Sequence, residues 1–209
     1  MNYSERCLEN WKENSNKYGA IEWEKDPDFL YYIQANIPLD IGMQLIEIRE
    51  KFMQDNQIRG GERVDVSNLH VTLALPGRLG THFQKNDVSY MKSTLKNVFK
   101  EAAPLPLRFE GINIFSSVLW AQVFDLSNRL QSIHETICNE IPFSEHPDYR
   151  YQNYLPHASL LYGGSGDLQL AVRDFPALEC LIDTIEFGRV KDETVSDKFR
   201  EVIETYQLG

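Results

Sequence analysis

The sequence predicts an α+β fold with largely antiparallel sheets. Segments with the composition of strands alternate with amphipathic helical segments, yet some neighbouring strands are separated by turns too short to contain a helix. A doubly wound parallel sheet needs a long crossover between its strands, so these short connections argue against that class. The chain has 209 residues, of which 42% are hydrophobic. We therefore expect a packed core in one large domain or two small lobes.

Polar and charged residues dominate the first 27 positions. They predict an N-terminal extension over residues 1–27, with one helix over residues 5–14 held on the body by tryptophans. The acidic stretch at residues 22–28 predicts a solvated linker. The remaining chain, residues 28–209, is expected to form a single domain.

Six segments predict strands because they combine β-branched and aromatic residues with flanking Pro or Gly. They lie at 29–37, 64–75, 104–115, 118–124, 154–162 and 178–190. The third and fourth are close enough in sequence to pair as a hairpin. Residues 142–153, which include Pro147, predict a loop.

Three segments carry apolar residues at helical spacing, and each has a polar residue that can cap its first turn. The first segment has Asp40 as its cap and apolar residues at 41, 45, 48 and 52. The second has Asn86 or Asp87 and apolar residues at 88, 91, 95 and 98. The third has Asp125 and apolar residues at 126, 130, 133, 137 and 141. The last segment, residues 199–208, fits helical spacing as well as strand alternation, so periodicity leaves both structures open.

Charge and cysteine content narrow the classes of function. The 21 basic and 31 acidic residues leave a net charge of −10, whereas tracking a long nucleic acid needs a basic groove. The three cysteines, at positions 7, 138 and 180, lack the spacing of a metal site or a redox motif. No apolar run approaches the roughly 18 residues that a membrane-spanning helix needs. We expect a soluble, cytoplasmic, monomeric protein with free thiols and without a metal ion, a cofactor or a membrane anchor.

Two short segments carry most of the functional information. One is LHVTL at residues 69–73, and the other is PHASL at residues 156–160. Each places a histidine and a hydroxyl two positions apart, and residues i and i+2 of a strand face the same side. His70 and Thr72 should therefore project to one side of their strand. His157 and Ser159 should do the same, with the intervening apolar residues turned toward the core.

These pairs predict metal-free acid–base chemistry on a phosphodiester. Histidine titrates near neutral pH, so one of His70 and His157 can accept a proton in its neutral form while the other donates one. Thr72 and Ser159 can each donate a hydrogen bond to a phosphoryl oxygen. The chemistry requires the two strands to lie side by side across a cleft.

A third match to the pattern, His134 with Thr136, lies in a predicted helix. Two positions along a helix are separated by about 200°, so these two side chains face apart. We expect His134 to be an ordinary residue on the surface of that helix.

The two motifs and their flanks resemble the 2H phosphoesterase superfamily, which is named for two His-x-Thr/Ser motifs. The resemblance covers residues 29–208, and the run YLPHASLLY at residues 154–162 is most similar to the plant-type cyclic phosphodiesterase branch. It implies a bilobal α+β fold, in which two antiparallel sheets with flanking helices are related by a pseudo-two-fold and the motifs face each other across a cleft. It also implies that residues 199–208 form a strand.

The resemblance further implies roles for the site residues. The two histidines would be the general acid and base, and the two motif hydroxyls would bind the phosphate. Tyr162, three positions after the second hydroxyl, would line the substrate site. An aromatic residue before the hairpin would do the same, and Phe115 is the best match to it.

The activity implied by the resemblance is hydrolysis of a cyclic phosphate, either a nucleoside 2′,3′-cyclic phosphate or ADP-ribose 1″,2″-cyclic phosphate. RNA-ligase-like members carry an arginine shortly after the second motif, where this chain has LYG at residues 161–163. Together with the acidic charge, this difference favours a small nucleotide substrate over a short RNA end. Two alternatives stay open: a phosphoesterase that acts on 2′-5′-linked or terminal RNA, and a nucleotide-binding module without catalysis.

Overall fold

The computed structural model describes residues 2–19, 29–141, 154–166, 168, 174–191 and 199–209. Within these residues the chain forms four α-helices, nine strands and two short 3-10 helices at Ser15–Lys17 and Val66–Asn68. The helices are α1 (Tyr3–Asn14), α2 (Leu39–Asp55), α3 (Lys85–Phe99) and α4 (Leu130–Glu140). The strands are β1 (Leu30–Asn36), β2 (Glu62–Arg63), β3 (His70–Arg78), β4 (Leu105–Phe115), β5 (Val118–Asp125), β6 (His157–Tyr162), β7 (Leu178–Ile182), β8 (Thr184–Lys191) and β9 (Phe199–Gln207). The predicted linker at 22–28 and the predicted loop at 142–153 lie outside the described residues.

Two antiparallel sheets contain these strands, in the orders β3-β1-β8-β9 and β2-β6-β5-β4-β7. The two sheets repeat one plan. In the first, β3 pairs with β1, and α2 lies between these strands along the chain; in the second, β6 pairs with β5, and α4 lies between them. The repetition confirms the predicted α+β class with two related antiparallel halves.

The side chains of the two motif strands alternate as predicted. Val71 and Leu73 of β3 and Ala158 and Leu160 of β6 are fully buried, with no exposed surface. The histidine and hydroxyl residues between them are half-buried. A slip of one residue in either strand would turn the apolar set toward solvent, so burial of these side chains fixes which face carries the motifs.

The first motif strand begins and ends later than predicted. The 3-10 helix at Val66–Asn68 occupies part of the predicted strand, and β3 runs from His70 through Pro76 to Arg78. β3 is the edge strand of its sheet and pairs only with β1 there. An edge strand tolerates proline because the N–H groups on one side of its backbone have no neighbouring strand to which they must donate.

The predicted strand at 178–190 is in fact two strands in different sheets. β7 pairs with β4 in the five-stranded sheet, whereas β8 pairs with β1 and β9 in the other sheet. The break is at Asp183, where the chain passes from one half to the other. Ile182 and Ile185 are both buried on either side of it, so composition does not mark the break.

All three predicted helix caps are wrong. α2 begins at Leu39 with Pro38 as its N-cap, and Asp40 lies within the first turn. The N-cap of α3 is Gln84, whose backbone N–H donates to the Asp87 carboxylate at 2.7 Å. α4 begins only at Leu130, because the Asp125 carboxylate accepts hydrogen bonds from the N–H groups of Ser127 and Leu130 at 2.8 and 2.5 Å across an intervening turn. Such bonds satisfy donors that a helix start leaves unpaired.

Backbone pairing resolves the ambiguous C-terminal segment. Residues Phe199–Gln207 form β9 and pair with β8 along its length, which confirms the strand implied by the resemblance. No helix in the described part of the chain is both long and apolar enough to cross a membrane.

Candidate active site

The first motif lies on a polar face shared by β3 and β1. His70 is opposite Asn36, and Thr72 is opposite Gln34. Directly opposed residues of an antiparallel pair project to the same side. The Gln34 side chain is buried, and its amide donates to the Asn36 side-chain oxygen at 2.9 Å. The first half-site is thus a surface of hydroxyl and amide groups around one imidazole.

The second motif lies against aromatic rings. His157 is opposite Gln122, and Ser159 is opposite Trp120 on β5. The Phe115 ring stacks on fully buried Trp120 with a centroid distance of 5.0 Å, and it meets the His157 ring edge-on at 5.0 Å and 84°. The second half-site therefore surrounds its imidazole with apolar ring surface, in contrast to the first.

Tyr162 joins the second half-site through an irregularity in β6. In a regular strand, a residue three positions after Ser159 would face the opposite side. Here Ser159 is opposite Trp120, but Tyr162 is opposite Val118, and the pairing shifts between these two positions. Trp120 and Val118 are two residues apart and share a face, so a bulge at Leu160 returns Tyr162 to the face of Ser159.

Both motif histidines make the same hydrogen bond. The Nδ1 atom of His70 is 2.7 Å from the carbonyl oxygen of Asn68, and the Nδ1 atom of His157 is 2.8 Å from the carbonyl oxygen of Leu155. Each acceptor is two residues upstream of its histidine. A carbonyl oxygen can only accept, so Nδ1 carries the hydrogen in both rings. Nε2 is therefore the atom left for proton transfer in each ring.

Burial lowers the pKa of His157 below its ordinary value of 6.5, although the hydrogen bond to the Leu155 carbonyl acts in the opposite direction. The aromatic rings around it cannot solvate an imidazolium. The lowered pKa favours the neutral His157 ring, in which Nε2 carries the lone pair.

The two motif strands pack against each other even though they belong to different sheets. Tyr154, three residues before His157, donates from its hydroxyl to the backbone carbonyl of Thr72 at 2.9 Å. Its ring stacks face to face on His134 of α4, with centroids 4.0 Å apart and an interplanar angle of 6°. The Nδ1 atom of His134 is in turn 2.6 Å from the backbone carbonyl oxygen of Leu73. Tyr154 and His134 thus connect the two halves of the site.

The prediction that His134 lies on the helix surface is wrong. Its side chain is fully buried, and burial lowers its pKa. Thr136 does face the other way, and its exposed hydroxyl donates to the Ser132 carbonyl at 2.8 Å. The overlooked signal is position: His134 comes four residues after Leu130 and three before Ile137, within the apolar stripe of α4.

The N-terminal segment packs on the backbone around the second motif. The Tyr3 hydroxyl donates to the carbonyl of Pro156 at 2.8 Å and accepts from the N–H of Val123 at 2.7 Å. The Tyr18 hydroxyl donates to the carbonyl of Gly163 at 2.5 Å. Residues 2–19 therefore contact the chain immediately before and immediately after β6.

The groups that hold the motifs in place have little or no signature in the sequence. Asn68 and Leu155 act through backbone carbonyls, which every residue type possesses. Tyr154 could be identified only by knowing that its hydroxyl reaches a strand of the other sheet. Among the described residues, no group of three or more His, Cys, Asp or Glu side chains could hold a metal ion.

Several solved structures share this fold. The crystal structure of TT0787 of Thermus thermophilus matches with a TM-score of 0.65 and 16% identity, covering 86% of this chain and 97% of that chain. E. coli LigT complexed with 3′-AMP matches with a TM-score of 0.61 and 15% identity, covering 88% and 99%. The complex of LigT with ATP gives 0.62 and 15%, covering 87% and 98%. At these identities the likeness establishes the fold alone.

No protein with curated annotation matches the chain significantly. The family model of the 2′-5′ RNA ligase superfamily matches residues 43–193, which is more than half of the chain and includes both motifs. The two His-x-Thr/Ser strands, their packing and this match agree with one another. The chain therefore belongs to the 2′-5′ RNA ligase superfamily, the 2H phosphoesterases.

Proposed function

We propose that this phosphoesterase is a metal-independent phosphodiesterase that hydrolyses small cyclic phosphates. The substrate would be a nucleoside 2′,3′-cyclic phosphate or ADP-ribose 1″,2″-cyclic phosphate. The observation that carries the proposal is the matched hydrogen bond from Nδ1 of His70 and of His157 to a backbone carbonyl. In both rings the hydrogen on Nδ1 makes Nε2 the atom for proton transfer, and the two rings lie on strands that pack together.

The reaction needs one proton acceptor and one proton donor. The oxygen of a water molecule attacks phosphorus and gives its proton to Nε2 of the neutral histidine. The bond between phosphorus and the ribose oxygen breaks, and that oxygen takes a proton from Nε2 of the protonated histidine. Thr72 and Ser159 donate hydrogen bonds to the non-bridging oxygens, where negative charge develops. Each positioned acid or base contributes about 10²–10⁴-fold to the rate.

We assign the base to His157 and the acid to His70. Burial among aromatic rings lowers the pKa of His157 and so favours the neutral ring that a proton acceptor requires. His70, which lies instead on the polar face with Asn36 and Gln34, then takes the role of the acid.

A nucleotide of one or two units suits the second half-site. Phe115 is half-buried and leaves ring surface on which a base can stack. Tyr162 lies on the same side of β6 as Ser159 and can contact the ribose or the phosphate. Structures of E. coli LigT, which has the same fold, include complexes with 3′-AMP, ATP and NADP⁺. A net charge of −10 further disfavours a long polyanion. The plant-type branch, the domain boundary at residue 28 and the monomeric state stay predictions.

The test is incubation of the purified protein with 2′,3′-cyclic AMP in EDTA, with the product identified by chromatography against 2′-AMP and 3′-AMP. We expect one isomer, and we expect His70→Ala and His157→Ala each to abolish turnover while thermal unfolding stays cooperative. His82→Ala, which removes an exposed loop histidine, is the matched control and should turn over normally. An active His70→Ala/His157→Ala double variant would refute the two-histidine mechanism.

The family description favours one alternative substrate, 2′-5′-linked RNA. Cleavage of a 2′-5′-linked dinucleotide, with no turnover of 2′,3′-cyclic AMP, would replace the cyclic substrate with this one. Calorimetric binding of 3′-AMP without turnover of either substrate would indicate a nucleotide-binding module.

A further inference from the structure

Arg200 contacts a residue next to the first motif, although it belongs to the strand at the opposite edge of the four-stranded sheet. It belongs to β9, and the strand order β3-β1-β8-β9 places two strands between β9 and β3. Its Nη1 atom nevertheless donates to the side-chain oxygen of Asn68 at 3.0 Å. Asn68 is the residue whose backbone carbonyl accepts the Nδ1–H of His70 at 2.7 Å. A single residue, Asn68, therefore connects the Arg200 guanidinium with the His70 imidazole, although Arg200 is remote in sequence.

The guanidinium of Arg200 is held at all three nitrogens. Nε donates to the Tyr32 hydroxyl at 2.9 Å, and Nη2 forms an ion pair with the carboxylate of Glu186. The guanidinium carbon also lies 5.3 Å from the centre of the Tyr32 ring. The side chains of Arg200 and Glu186 are only 23% and 16% exposed, so water screens the pair less than it screens an exposed one. A planar group with three fixed bonds has one orientation, and it transmits that orientation to Asn68.

Gly188 makes room for this path. It is opposite Tyr32 in the pairing of β1 with β8. A Cβ at position 188 would lie 2.2 Å from the Tyr32 hydroxyl oxygen and 2.4 Å from its ring carbon. Tyr32 can therefore lie across β8 and meet Arg200 only because residue 188 has no side chain.

We propose that Arg200 is a positioning residue for His70, acting through the side chain and the backbone carbonyl of Asn68. Asn68 is exposed at the end of a three-residue 3-10 helix, and the peptide group that follows it has one backbone hydrogen bond, from the Leu69 N–H to the Val66 carbonyl at 3.3 Å. Arg200 keeps the Asn68 carbonyl aimed at Nδ1, which fixes the tautomer of His70 and presents Nε2 to the substrate. The effect on turnover rests on the proposed function, whereas the effect on the His70 ring does not.

The decisive variant is Arg200→Met, which keeps the length of the side chain and removes its charge and donors. In ¹⁵N-histidine NMR spectra recorded at a pH at which the His70 ring is neutral, the wild type should show a single tautomer with hydrogen on Nδ1. We expect Arg200→Met to populate both tautomers and to lower kcat by about tenfold or more with little change in KM, since small misplacements of reacting groups cost that much. Arg200→Lys, which keeps the charge but lacks the planar fork, should restore kcat only in part.

The same two strands supply a matched control. Arg189 of β8 pairs with Glu201 of β9 at 2.6 Å, and Arg189 is opposite Tyr31, on the other face of the sheet. Arg189→Met removes an arginine–glutamate pair of the same kind without touching Asn68. It should leave the His70 tautomer and kcat at wild-type values.

Two further variants test the link if Arg200→Met fails to fold. Asn68→Ala removes the side chain that Arg200 holds but keeps the carbonyl, and Gly188→Ala displaces Tyr32; both should mix the tautomers of His70. A single Nδ1–H tautomer in every foldable variant would overturn the proposal, as would an equal effect of Arg189→Met. If the wild type does not turn over cyclic phosphates, the proposed substrate is wrong, and the NMR spectra still decide the role of Arg200.

Discussion

The hydroxyl of Tyr154 donates a 2.9 Å hydrogen bond to the backbone carbonyl of Thr72. Thr72 belongs to the first motif, and Tyr154 begins the segment that leads into the second. One hydrogen bond therefore spans the two halves of the site. In-line chemistry between two histidines depends on their relative placement, and here contacts outside the motifs hold that placement.

Tyr154→Phe should destabilise the protein and slow turnover. The ring stack on His134 remains, but the Thr72 carbonyl loses this part-buried hydrogen bond, which costs about 0.5–1.5 kcal/mol. Urea unfolding measures the loss in the free energy of unfolding. Tyr90→Phe is the control, because the Tyr90 hydroxyl also donates to a carbonyl, that of Glu140, at 2.9 Å but on the exposed surface. Equal effects of the two variants would contradict the bridging role.

Thr72→Val and Ser159→Ala should each lower kcat/KM for the cyclic substrate by about 10- to 100-fold. Each removes one hydrogen bond to a charged phosphoryl oxygen, worth about 1.5–3 kcal/mol. Steady-state kinetics on 2′,3′-cyclic AMP gives the ratio. Thr136→Val, at the exposed hydroxyl of α4, should be indistinguishable from wild type. Values within twofold of wild type for both site variants would remove the hydroxyls from the mechanism.

The free energy of unfolding should fall as the pH is lowered from 7 to 5. Burial lowers the pKa of His134 and of His157 in the folded protein. Below about pH 6.5 these two histidines are therefore protonated to a greater extent in the unfolded chain than in the folded protein. Stability is therefore full above the unfolded pKa and is lost as the pH falls below it, by at most about 1.4 kcal/mol per pH unit for each group.

His134→Gln tests the share of this pH dependence that belongs to His134. Glutamine can still donate to the Leu73 carbonyl, but it does not titrate in this range. Urea unfolding at a series of pH values should give a flatter dependence for the variant, whatever its absolute stability. An unchanged slope for His134→Gln would show that its protonation is not coupled to unfolding.

Tyr3→Phe should loosen the backbone around the second motif. The Tyr3 hydroxyl bonds both the N–H of Val123 and the carbonyl of Pro156, so its loss frees an amide on β5 and a carbonyl beside His157. Hydrogen exchange should become faster at Val123 and along β6, with Tyr90→Phe again as the control. Faster exchange confined to α1 would mean that the N-terminal segment does not brace the site.

The motif faces could be predicted because side-chain alternation along a strand is a local property. Val71 and Leu73 are buried while His70 and Thr72 are half-buried, as a repeat of two requires. The helical spacing likewise separated Thr136 from His134. The same spacing places His134 within the apolar stripe of α4, but the contacts that bury it are made by a strand and a tyrosine far away in the sequence.

Contacts between distant segments were beyond prediction from one sequence. The bulge at Leu160 decides that Tyr162 shares the face of Ser159, and only the pairing with β5 reveals it. Asp183 divides one apolar run between two sheets, although both flanks are buried. Arg200 and Asn68 are 132 positions apart, and their meeting depends on the order of four strands.

Local sequence was therefore sufficient for the elements, the two motif faces and the family, since each depends on residue type and spacing within a few positions. Tertiary packing settled how the imidazoles are held. Each Nδ1 donates to a backbone carbonyl, aromatic rings pack around His157, and the Arg200 guanidinium bonds Asn68, whose carbonyl accepts from His70. The physical reason is that orientation and pKa depend on neighbours that lie close in space but far apart along the chain.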